Sequence, residues 1–277
     1  MVKDLIKSMF KVLGYEVRRA AALVSPDSSR HYPFVRQIST SKFDFSLWIT
    51  SPATDATFIN DVFHYAEFKE YIRLVKPGAR ILDIGTYQGS TGMMLGKLAG
   101  PNGFLLGIDP NPVNVMVCQA NQSLNHIPPQ CMMFLNLAAA HEPGEVQISP
   151  RLNSYVVYGH RSAEMPPVRV AAVTGDELDA QYGPFDFLKI DVEGFEQQVL
   201  MGCRKILSRR PIVAIELHLD ALPDYNSTVA EIFRLLSIST CKVTAEFREK
   251  DRQEICQFDP NRCPQSGIVN LFLEPVK

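Results

Sequence analysis

The sequence lacks several features that would place it in a specialised class of protein. No stretch of about 18 apolar residues is present, so no membrane span is predicted. The chain has 28 Lys and Arg residues against 30 Asp and Glu residues, without the basic excess typical of nucleic-acid-binding proteins. Internal repeats and low-complexity segments are also absent. With 46% hydrophobic and 21% charged residues, the composition is that of an ordinary globular protein.

The six cysteines contain no C-x-x-C pair, so neither a dithiol redox motif nor a zinc ribbon is indicated. Free, buried thiols in a reducing cytoplasm are therefore expected, and the predicted location is cytoplasmic. Cys256 and Cys263 lie in a polar segment and could bind a metal, although the spacing of a zinc site is absent. Residues 1–7 interleave charged and apolar residues, unlike the continuous apolar core of a signal peptide.

Hydrophobic periodicity predicts an N-terminal extension, residues 1–55, ahead of the main domain. Apolar residues at helical spacing predict a first helix that ends at Gly14. Residues 25–56 combine Ser, Pro, Thr and Asp with scattered aromatics. This mixture predicts a loop that folds over another part of the protein and is not a free linker. A second helix is predicted to begin at Phe58 and to end at the Lys-Pro-Gly of residues 76–78.

From residue 79 onwards, short apolar runs alternate with helical segments. This alternation predicts an α/β domain, residues 56–277, with a mostly parallel sheet and helices on both faces. The strand candidates are 79–84, 103–109, 131–137, 168–173, 185–191, 211–217, 241–248 and 268–273. The helix candidates are 90–99, 112–124, 194–208 and 227–237. A small extra strand is predicted at residues 145–148, and an inserted loop at 150–167. The connection 249–267 is polar and has no clear helix, which predicts that the last two strands pair antiparallel.

A strand–turn–helix segment, RILDIGTYQGSTG at residues 80–92, is the first candidate ligand site. Its glycines let a ligand approach the backbone and the N-terminus of the following helix. A dinucleotide site requires G-x-G-x-x-G, but Tyr87 and Ser90 stand where the second and third glycines would be. No Gly-Lys-Ser/Thr follows, which argues against a P-loop. The turn therefore predicts a ligand without a pyrophosphate.

The acids at the ends of two consecutive strands narrow the choice of ligand. Asp109 ends the second strand candidate, and its carboxylate can accept both hydroxyls of a ribose. Asp83, one strand earlier, can face a cationic amino group. A nucleoside with a positively charged amino-acid tail matches both acids, and S-adenosylmethionine is such a ligand. The alternative is that Asp83 caps its own helix and Asp109 merely starts the next one.

A second dense patch of charge, KIDVEGFE, begins at Lys189. In an extended strand, Lys189, Asp191 and Glu193 point to one side. Charges at the end of a buried strand cost desolvation free energy unless they are paired or serve a function. The next strand adds Glu216 and His218, and a histidine can take up a proton near neutral pH. A structural ion pair of Lys189 with Asp191 is the alternative. A divalent metal held by Asp191, Glu193 and Glu216 is a further hypothesis, although no metal site is predicted.

With these two patches, the chain resembles the FkbM family of S-adenosylmethionine-dependent methyltransferases. The matching stretches are ILDIGTYQGSTG (81–92), LLGIDPNP (105–112), FLNLAAAHEPGEV (134–146), TGDEL (174–178), DFLKIDVEGFEQQVLMG (186–202) and PIVAIELH (211–218). The KIDVEGFE block is the specific part of the resemblance. It implies a Rossmann-like class I methyltransferase fold, with a seven-stranded sheet whose last strand runs antiparallel. It also implies O-methylation of a hydroxyl on a sugar, polyketide or other secondary metabolite.

The resemblance also assigns residues to the cofactor, S-adenosylmethionine. The cofactor-binding positions are Asp83, Gly85, Tyr87, Gly89, Ser90, Asp109, Asn136 and Ala138. Asp83, Gly85 and Gly89 would line the methionine side of the cofactor, and Asp109 would hold the ribose. Asn136 and Ala138 would lie near the adenine. The family's usual turn is closer to D-x-G-A-N-x-G, and Thr86-Tyr87 replaces Ala-Asn here.

For catalysis, the resemblance places Asp191 and Glu193 at the transfer site. Methyl transfer is an in-line displacement at an activated sulfonium, so the protein supplies positioning and a base for the hydroxyl proton. Asp191 or His218 is the candidate base. The expected partner is a small-molecule hydroxyl acceptor, and nucleic acid is not predicted as a partner.

Two other functions remain open on the residues alone. A nicotinamide-dependent oxidoreductase could use the same sheet topology, but Tyr87 and Ser90 count against it. A non-catalytic binding protein could keep the fold without the activity, but the retained Asp83, Asp109 and Asp191 argue against it. Residues before position 55 match no signature, and they are the expected place of substrate choice.

Overall fold

A computed structural model describes residues 31–39, 44–52, 54, 66–151, 153–158, 166–247 and 254–276. The chain divides into two units, one from Met1–Phe34 and Ile49–Val62 and the other from Val35–Trp48 and Phe63–Lys277. The larger unit contains the candidate site. The predicted helix that ends at Gly14 and the start of the helix predicted at Phe58 lie outside the described residues, and the domain boundary at residue 55 stays a prediction.

The described residues form strands and helices that alternate along the chain. The strands are β1 (Phe34–Ser39), β2 (Asp44–Ile49), β3 (Arg80–Ile84), β4 (Phe104–Ile108), β5 (Met132–Leu135), β6 (Ala138–Ala139), β7 (Gly144–Ile148), β8 (Val156–Val157), β9 (Val168–Val173), β10 (Phe187–Ile190), β11 (Ile212–His218), β12 (Cys241–Phe247), β13 (Ile255–Gln257) and β14 (Ile268–Pro275). The helices are α1 (Ala66–Leu74), α2 (Ser90–Ala99), α3 (Pro112–Leu124), α4 (Gly175–Tyr182), α5 (Glu196–Met201), α6 (Arg204–Ser208) and α7 (Val229–Leu235). None of these helices is long and apolar enough to cross a membrane.

The main sheet has eight strands in the order β13-β12-β14-β11-β10-β3-β4-β5. Strands β11, β10, β3, β4 and β5 pair parallel, whereas β14 runs antiparallel to both β11 and β12. Every residue of β4 and β10 is buried, as in strands that are covered on both faces. Without the short edge strand β13, this is the seven-stranded sheet with an antiparallel last strand that the resemblance implied, and that prediction is confirmed.

The strand predicted at residues 168–173 forms, but it does not join the main sheet. It is β9 of a separate four-stranded sheet with the order β6-β9-β7-β8, in which β7 contains the predicted extra strand. Val170 and Ala172 are buried, while Val168, Arg169 and Ala171 are exposed. This alternation is typical of a sheet with one face in solvent, unlike the continuous apolar runs of the main-sheet strands.

Three local predictions were wrong. The loop predicted for residues 25–56 contains β1 and β2, which pair as a two-stranded sheet. The signal in the sequence is the alternation of apolar residues at Phe45 and Leu47, which are both buried in β2. The helix predicted at 194–208 is divided into α5 and α6. Of the cysteines, which are all free thiols, only Cys118 and Cys203 are buried.

Helix α4 was not predicted, although its N-terminus carries a sequence signal. The Thr174 side chain accepts a hydrogen bond from Glu177 N, and the Glu177 side chain accepts one from Thr174 N. This reciprocal pairing is the capping box, and Thr-x-x-Glu is visible within TGDEL. Since the helix is short, its apolar periodicity alone did not reveal it.

The packing around β3 predicts a large stability effect at Leu82. This side chain is completely buried, on a strand that lies between β10 and β4. Leu82→Ala should lower the free energy of unfolding by about 2–5 kcal/mol, because buried contacts are lost and a cavity remains. Leu124→Ala, at a residue that is 37% exposed, is the matched control and should cost less than about 1 kcal/mol. Urea denaturation measures both values, and equal losses would contradict this packing.

Candidate active site

The turn between β3 and α2, residues 85–89, is called the glycine turn. Gly85 has φ 82°, and a Cβ at this position would lie 1.7 Å from the main-chain oxygen of Asp191, so only glycine fits. Tyr87 also has a left-handed backbone, with φ 49°. The glycine turn therefore lies against the segment that follows β10, and the two charged patches of the sequence are adjacent in space.

Asp109, at the carboxyl end of β4, has its carboxylate fixed by three donors. Tyr87 N donates to Oδ2 at 2.9 Å, while Asn111 N and Asn114 Nδ2 donate to Oδ1 at 2.9 and 3.1 Å. Burial raises the pKa of Asp109 to about 6, and these hydrogen bonds oppose the shift only in part. Asp109 thus joins the glycine turn to the start of α3.

The remaining residues predicted at the cofactor lie on α2, on β6 and in the segment between β5 and β6. Ser90 is the first residue of α2 and is partly exposed. Asn136 is exposed, and its Nδ2 donates to the main-chain oxygens of Asp109 at 3.0 Å and Pro110 at 2.9 Å. Ala138 is buried within β6 of the four-stranded sheet. Asn136 therefore adjoins Asp109, whereas Ala138 offers little exposed surface to a ligand.

Lys189 on β10 connects the two charged patches. Its Nζ lies 3.2 Å from Asp83 Oδ1 and 3.6 Å from Asp191 Oδ2, and it donates to Gly85 O at 3.3 Å. Asp83 is completely buried and also accepts a hydrogen bond from Thr86 Oγ1 at 2.9 Å. Burial alone would lower the pKa of Lys189, but Asp83 and Asp191 raise it above its usual range. The carboxylate of Asp83 is thus paired with an ammonium group of the chain itself.

His218, the last residue of β11, has three carboxylates around its ring. Nδ1 lies 2.9 Å from Glu196 Oε1, and Nε2 lies 3.4 Å from Glu216 Oε1 and 3.5 Å from Glu193 Oε2. Burial would lower the pKa of His218, but the carboxylates of Glu196 and Glu216 raise it to about 11. These four residues, His218, Glu193, Glu196 and Glu216, are called the histidine cluster.

Asp191 lies beside the histidine cluster and is 31% exposed. Burial and the charge of Glu216 raise the pKa of Asp191 to about 7, although Lys189 opposes this shift. Ligand atoms of Asp191, Glu193 and His218 lie within 4.8 Å of one another, and no other such group of Asp, Glu, Cys or His occurs in the described part of the chain. The metal hypothesis from the sequence named Glu216, whereas His218 takes that place in this group.

The turn after β10 is held in a backbone conformation that directs Glu193 to the histidine cluster. Glu193 has φ 54°, which a residue with a side chain keeps only when its surroundings hold it. Asn153 Nδ2 donates to Glu193 Oε1 at 3.0 Å, and Gly194 N donates to Glu196 Oε1 at 2.9 Å. Asn153 and Glu196 were not predicted as site residues, because their contacts depend on the approach of distant segments.

A further unpredicted residue, Asn121 on α3, connects β2 to the glycine turn. It is 1% exposed, its Oδ1 accepts from Trp48 N at 2.7 Å, and its Nδ2 donates to Gln88 O at 3.1 Å. One helical turn later, the Asn125 side chain accepts from Ser46 N and donates to Ser46 O, each at 2.7 Å. The two asparagines therefore hold β2 on α3, and only Asn121 also holds the glycine turn.

The order and directions of the main-sheet strands are those of the Rossmann-like class I methyltransferase fold. Residues 83–246, more than half of the 277 residues, match the Methyltransferase FkbM domain. The chain belongs to the FkbM methyltransferase family. The resemblance seen in the sequence is thereby confirmed, and neither an oxidoreductase nor a non-catalytic binding protein is supported.

Individual relatives show more limited similarity. A segment of 59 residues is 37% identical to Ribosomal RNA large subunit methyltransferase E of Bdellovibrio bacteriovorus, covering 21% of this chain and 30% of that protein. The crystal structure of methyltransferase FkbM from Methylobacillus flagellatus KT is similar with a TM-score of 0.49 and 14% identity, over 73% of this chain and 47% of that one. The crystal structure of a rRNA methylase from Streptococcus thermophilus is similar with a TM-score of 0.44 and 13% identity, over 76% of this chain and 95% of that one. This chain thus spans less than half the length of the first two proteins.

The raised pKa of Asp109 predicts that cofactor affinity depends on pH. Because an ionised carboxylate is the better acceptor for ribose hydroxyls, S-adenosylhomocysteine should bind about tenfold more weakly at about pH 5 than on the plateau above the pKa of about 6. The folded protein also holds this proton more tightly than the unfolded chain does. Ionisation of Asp109 should therefore lower folding stability as the pH rises from about 4 to about 6.

Calorimetric titration between about pH 5 and about pH 8 measures this affinity, with Asp109→Asn as the control. The variant should bind more weakly and should lose this part of the pH dependence. An affinity of the wild type that does not change with pH would contradict the prediction. The same pH dependence in Asp109→Asn would assign it to another group.

The different contacts of the two α3 asparagines predict different effects on binding. Asn121→Leu should weaken the binding of S-adenosylhomocysteine severalfold, because Gln88 O in the glycine turn loses its donor. Asn125→Leu is the matched control: it removes the contacts to Ser46 and the hydrogen bond from Asn125 Nδ2 to Asn121 O, but no contact to the glycine turn, and it should leave this affinity unchanged. Calorimetry measures the affinity, and denaturation should show that each variant loses about 1–3 kcal/mol of stability. Equal affinities in the two variants would disprove a positioning role for Asn121.

Proposed function

We propose that this methyltransferase transfers the methyl group to a hydroxyl of a small molecule, such as a sugar, a polyketide or a related secondary metabolite. The main support is the position of Asp191 and the histidine cluster at the carboxyl ends of β10 and β11, beside the glycine turn. Ligands of open α/β sheets bind at these strand ends. An acceptor held there meets carboxylates and an imidazole, which are groups that bind and deprotonate hydroxyls.

The residues of the glycine turn suit S-adenosylmethionine. Tyr87 and Ser90 stand where a pyrophosphate site has glycines, which suits a ligand without pyrophosphate, and Asp109 offers a carboxylate to the ribose. The acids on the other side, Asp191 and Glu193, suit a positively charged sulfonium. When bound, this cofactor supplies an already activated methyl group.

The proposed roles of the other cofactor residues follow from their contacts. Asp83 acts through Lys189 and Thr86, since its buried carboxylate pairs with both and thereby fixes the glycine turn. Asn136 is the proposed residue on the adenine side, because it is exposed and adjoins Asp109. Gly89 and Ser90 lie where the turn enters α2, and their backbone forms the methionine side of the site.

On the acceptor side, the chain must remove a proton from the hydroxyl as the new bond forms. Asp191 is the proposed base, because its partly exposed carboxylate follows β10 directly and lies next to the glycine turn. Glu193 and His218 are proposed to orient the hydroxyl. His218 Nδ1 is engaged by Glu196, so Nε2 is the nitrogen that faces the other carboxylates.

An RNA acceptor is the second candidate, because of the 59-residue similarity to a ribosomal RNA methyltransferase. The charges of the site disfavour it. Asp191, Glu193 and Glu216 would repel a phosphate backbone, and the net charge of -2 supplies no basic excess that would attract one. A small-molecule acceptor is therefore favoured.

The acceptor class is tested with S-adenosylmethionine that carries tritium in its methyl group. The protein is incubated separately with a panel of sugars and polyketide alcohols and with ribosomal RNA. We expect label in a small molecule, in an ether that survives mild alkali. Label that ribonuclease releases would assign RNA as the acceptor, and label on nitrogen or in an alkali-labile ester would contradict methylation of a hydroxyl.

The proposed base predicts a specific loss of turnover. Asp191→Asn should lower kcat by about 100- to 10,000-fold, because the amide cannot accept the hydroxyl proton. Its affinity for S-adenosylhomocysteine, measured by calorimetry, should change little, since the substitution preserves shape. Glu142→Gln, at a side chain that is 75% exposed, is the control and should behave like the wild type. Unchanged turnover in Asp191→Asn would remove this residue from the mechanism.

A further inference from the structure

We propose that Asp191, Glu193 and His218 bind a divalent first-row metal ion, for which Mn²⁺ is the probe. Ligand atoms of these three side chains lie within 4.8 Å of one another. Around one ion with bonds of about 2.0–2.2 Å, ligand atoms are separated by about 3.0–4.4 Å. The three side chains are therefore already close to the separations that coordination requires.

The contacts of His218 Nε2 fit a shared cation better than direct hydrogen bonds. Nε2 lies 3.5 Å from Glu193 Oε2 and 3.4 Å from Glu216 Oε1. Both distances exceed the usual range of about 2.7–3.2 Å for a hydrogen bond from nitrogen to oxygen. The distance from Nε2 to Glu193 Oε2 matches the spacing of two ligand atoms on one ion, with Nε2 as the imidazole ligand.

Glu196 provides a second, independent observation, because it has the position of a partner that orients a metal-binding histidine. It is completely buried, and its Oε1 lies 2.9 Å from His218 Nδ1. Metal-binding histidines usually donate their second ring N–H to such a carboxylate. The other oxygen of Glu196, Oε2, is buried without a hydrogen-bond partner among the described residues. A buried carboxylate that lacks a hydrogen bond is stabilised by positive charge nearby, whether from a protonated imidazole or from an ion that the imidazole binds.

The charges and donor atoms indicate which ion is suitable. The imidazole of His218 can supply at most one positive charge to the three carboxylates that lie within 3.5 Å of it. A divalent ion supplies two charges. Two carboxylate oxygens and one imidazole nitrogen suit Mn²⁺, Fe²⁺ or Zn²⁺ better than Ca²⁺, which prefers oxygen ligands alone.

An ion at this position would also bear on catalysis. It would bind the acceptor oxygen and lower the pKa of its proton, while Asp191 can bind the ion through one oxygen and accept the proton on the other. This consequence rests on the proposed function. Binding of the ion does not, and it is measured without methyl donor or acceptor.

The test is a titration of chelator-treated protein with Mn²⁺, in which electron paramagnetic resonance follows the free ion. We expect one bound Mn²⁺ per chain and, in pulsed spectra, a nitrogen coupling from the imidazole. Glu193→Gln preserves shape and should weaken binding at least about tenfold, and Glu196→Gln should do so by about tenfold. His218→Ala should lose the nitrogen coupling. Glu142→Gln should bind like the wild type, and circular dichroism should confirm that each variant is folded.

Three results would overturn the proposal. The first is a wild-type protein that binds no Mn²⁺ at millimolar concentration. The second is bound Mn²⁺ without nitrogen coupling, or with a coupling that persists in His218→Ala. The third is an unchanged affinity in Glu193→Gln, which decides the question even if His218→Ala does not fold. Separately, a methyl-transfer rate that is unaffected by removal of the ion would contradict the catalytic consequence alone.

Discussion

The buried contact of Lys189 with Asp83 and Asp191 is the interaction on which the rest of the site depends. The parallel register of β3 and β10 sets Lys189 opposite Asp83, and Asp191 follows two residues later. Loss of Lys189 would leave the buried carboxylate of Asp83 without compensation. The ends of the two strands are therefore held in one arrangement. This fixes the glycine turn on β3 relative to the acids that follow β10.

The two sides of the site are built in different ways. On the cofactor side, main-chain groups dominate: Gly85 allows the backbone to pass Asp191, and Tyr87 N fixes the carboxylate of Asp109. On the acceptor side, charged side chains from distant segments converge on His218. The first arrangement is fixed by backbone conformation and does not depend on exposed side chains. The second concentrates negative charge, and under the proposed function a base and a metal ion would use the same acids.

The fold was predictable where one strand or helix could be read without its neighbours. The main-sheet strands carry continuous apolar runs, and α3 (Pro112–Leu124) forms over the predicted residues. Errors arose where the sequence pattern was weak, as in β1 and β2, which were predicted as a loop. An error also arose where one pattern suits two architectures, as in β9, which forms a strand but belongs to the separate four-stranded sheet. The acids of the site were found because charge at the end of a buried strand is unusual. Asn121, Asn153 and Glu196 were not found, since each acts through a partner far away in the chain or around a turn.

The central claim, that Lys189 and Asp83 together hold the two strand ends, is tested most directly by a double-mutant cycle. The free energies of unfolding of the wild type, Lys189→Met, Asp83→Asn and the double variant are measured by urea denaturation. Lys189→Met alone should cost about 3–5 kcal/mol, because it leaves buried carboxylates uncompensated. The double variant should lose at least about 2 kcal/mol less than the sum of the single variants. Additivity within about 0.5 kcal/mol would contradict the account.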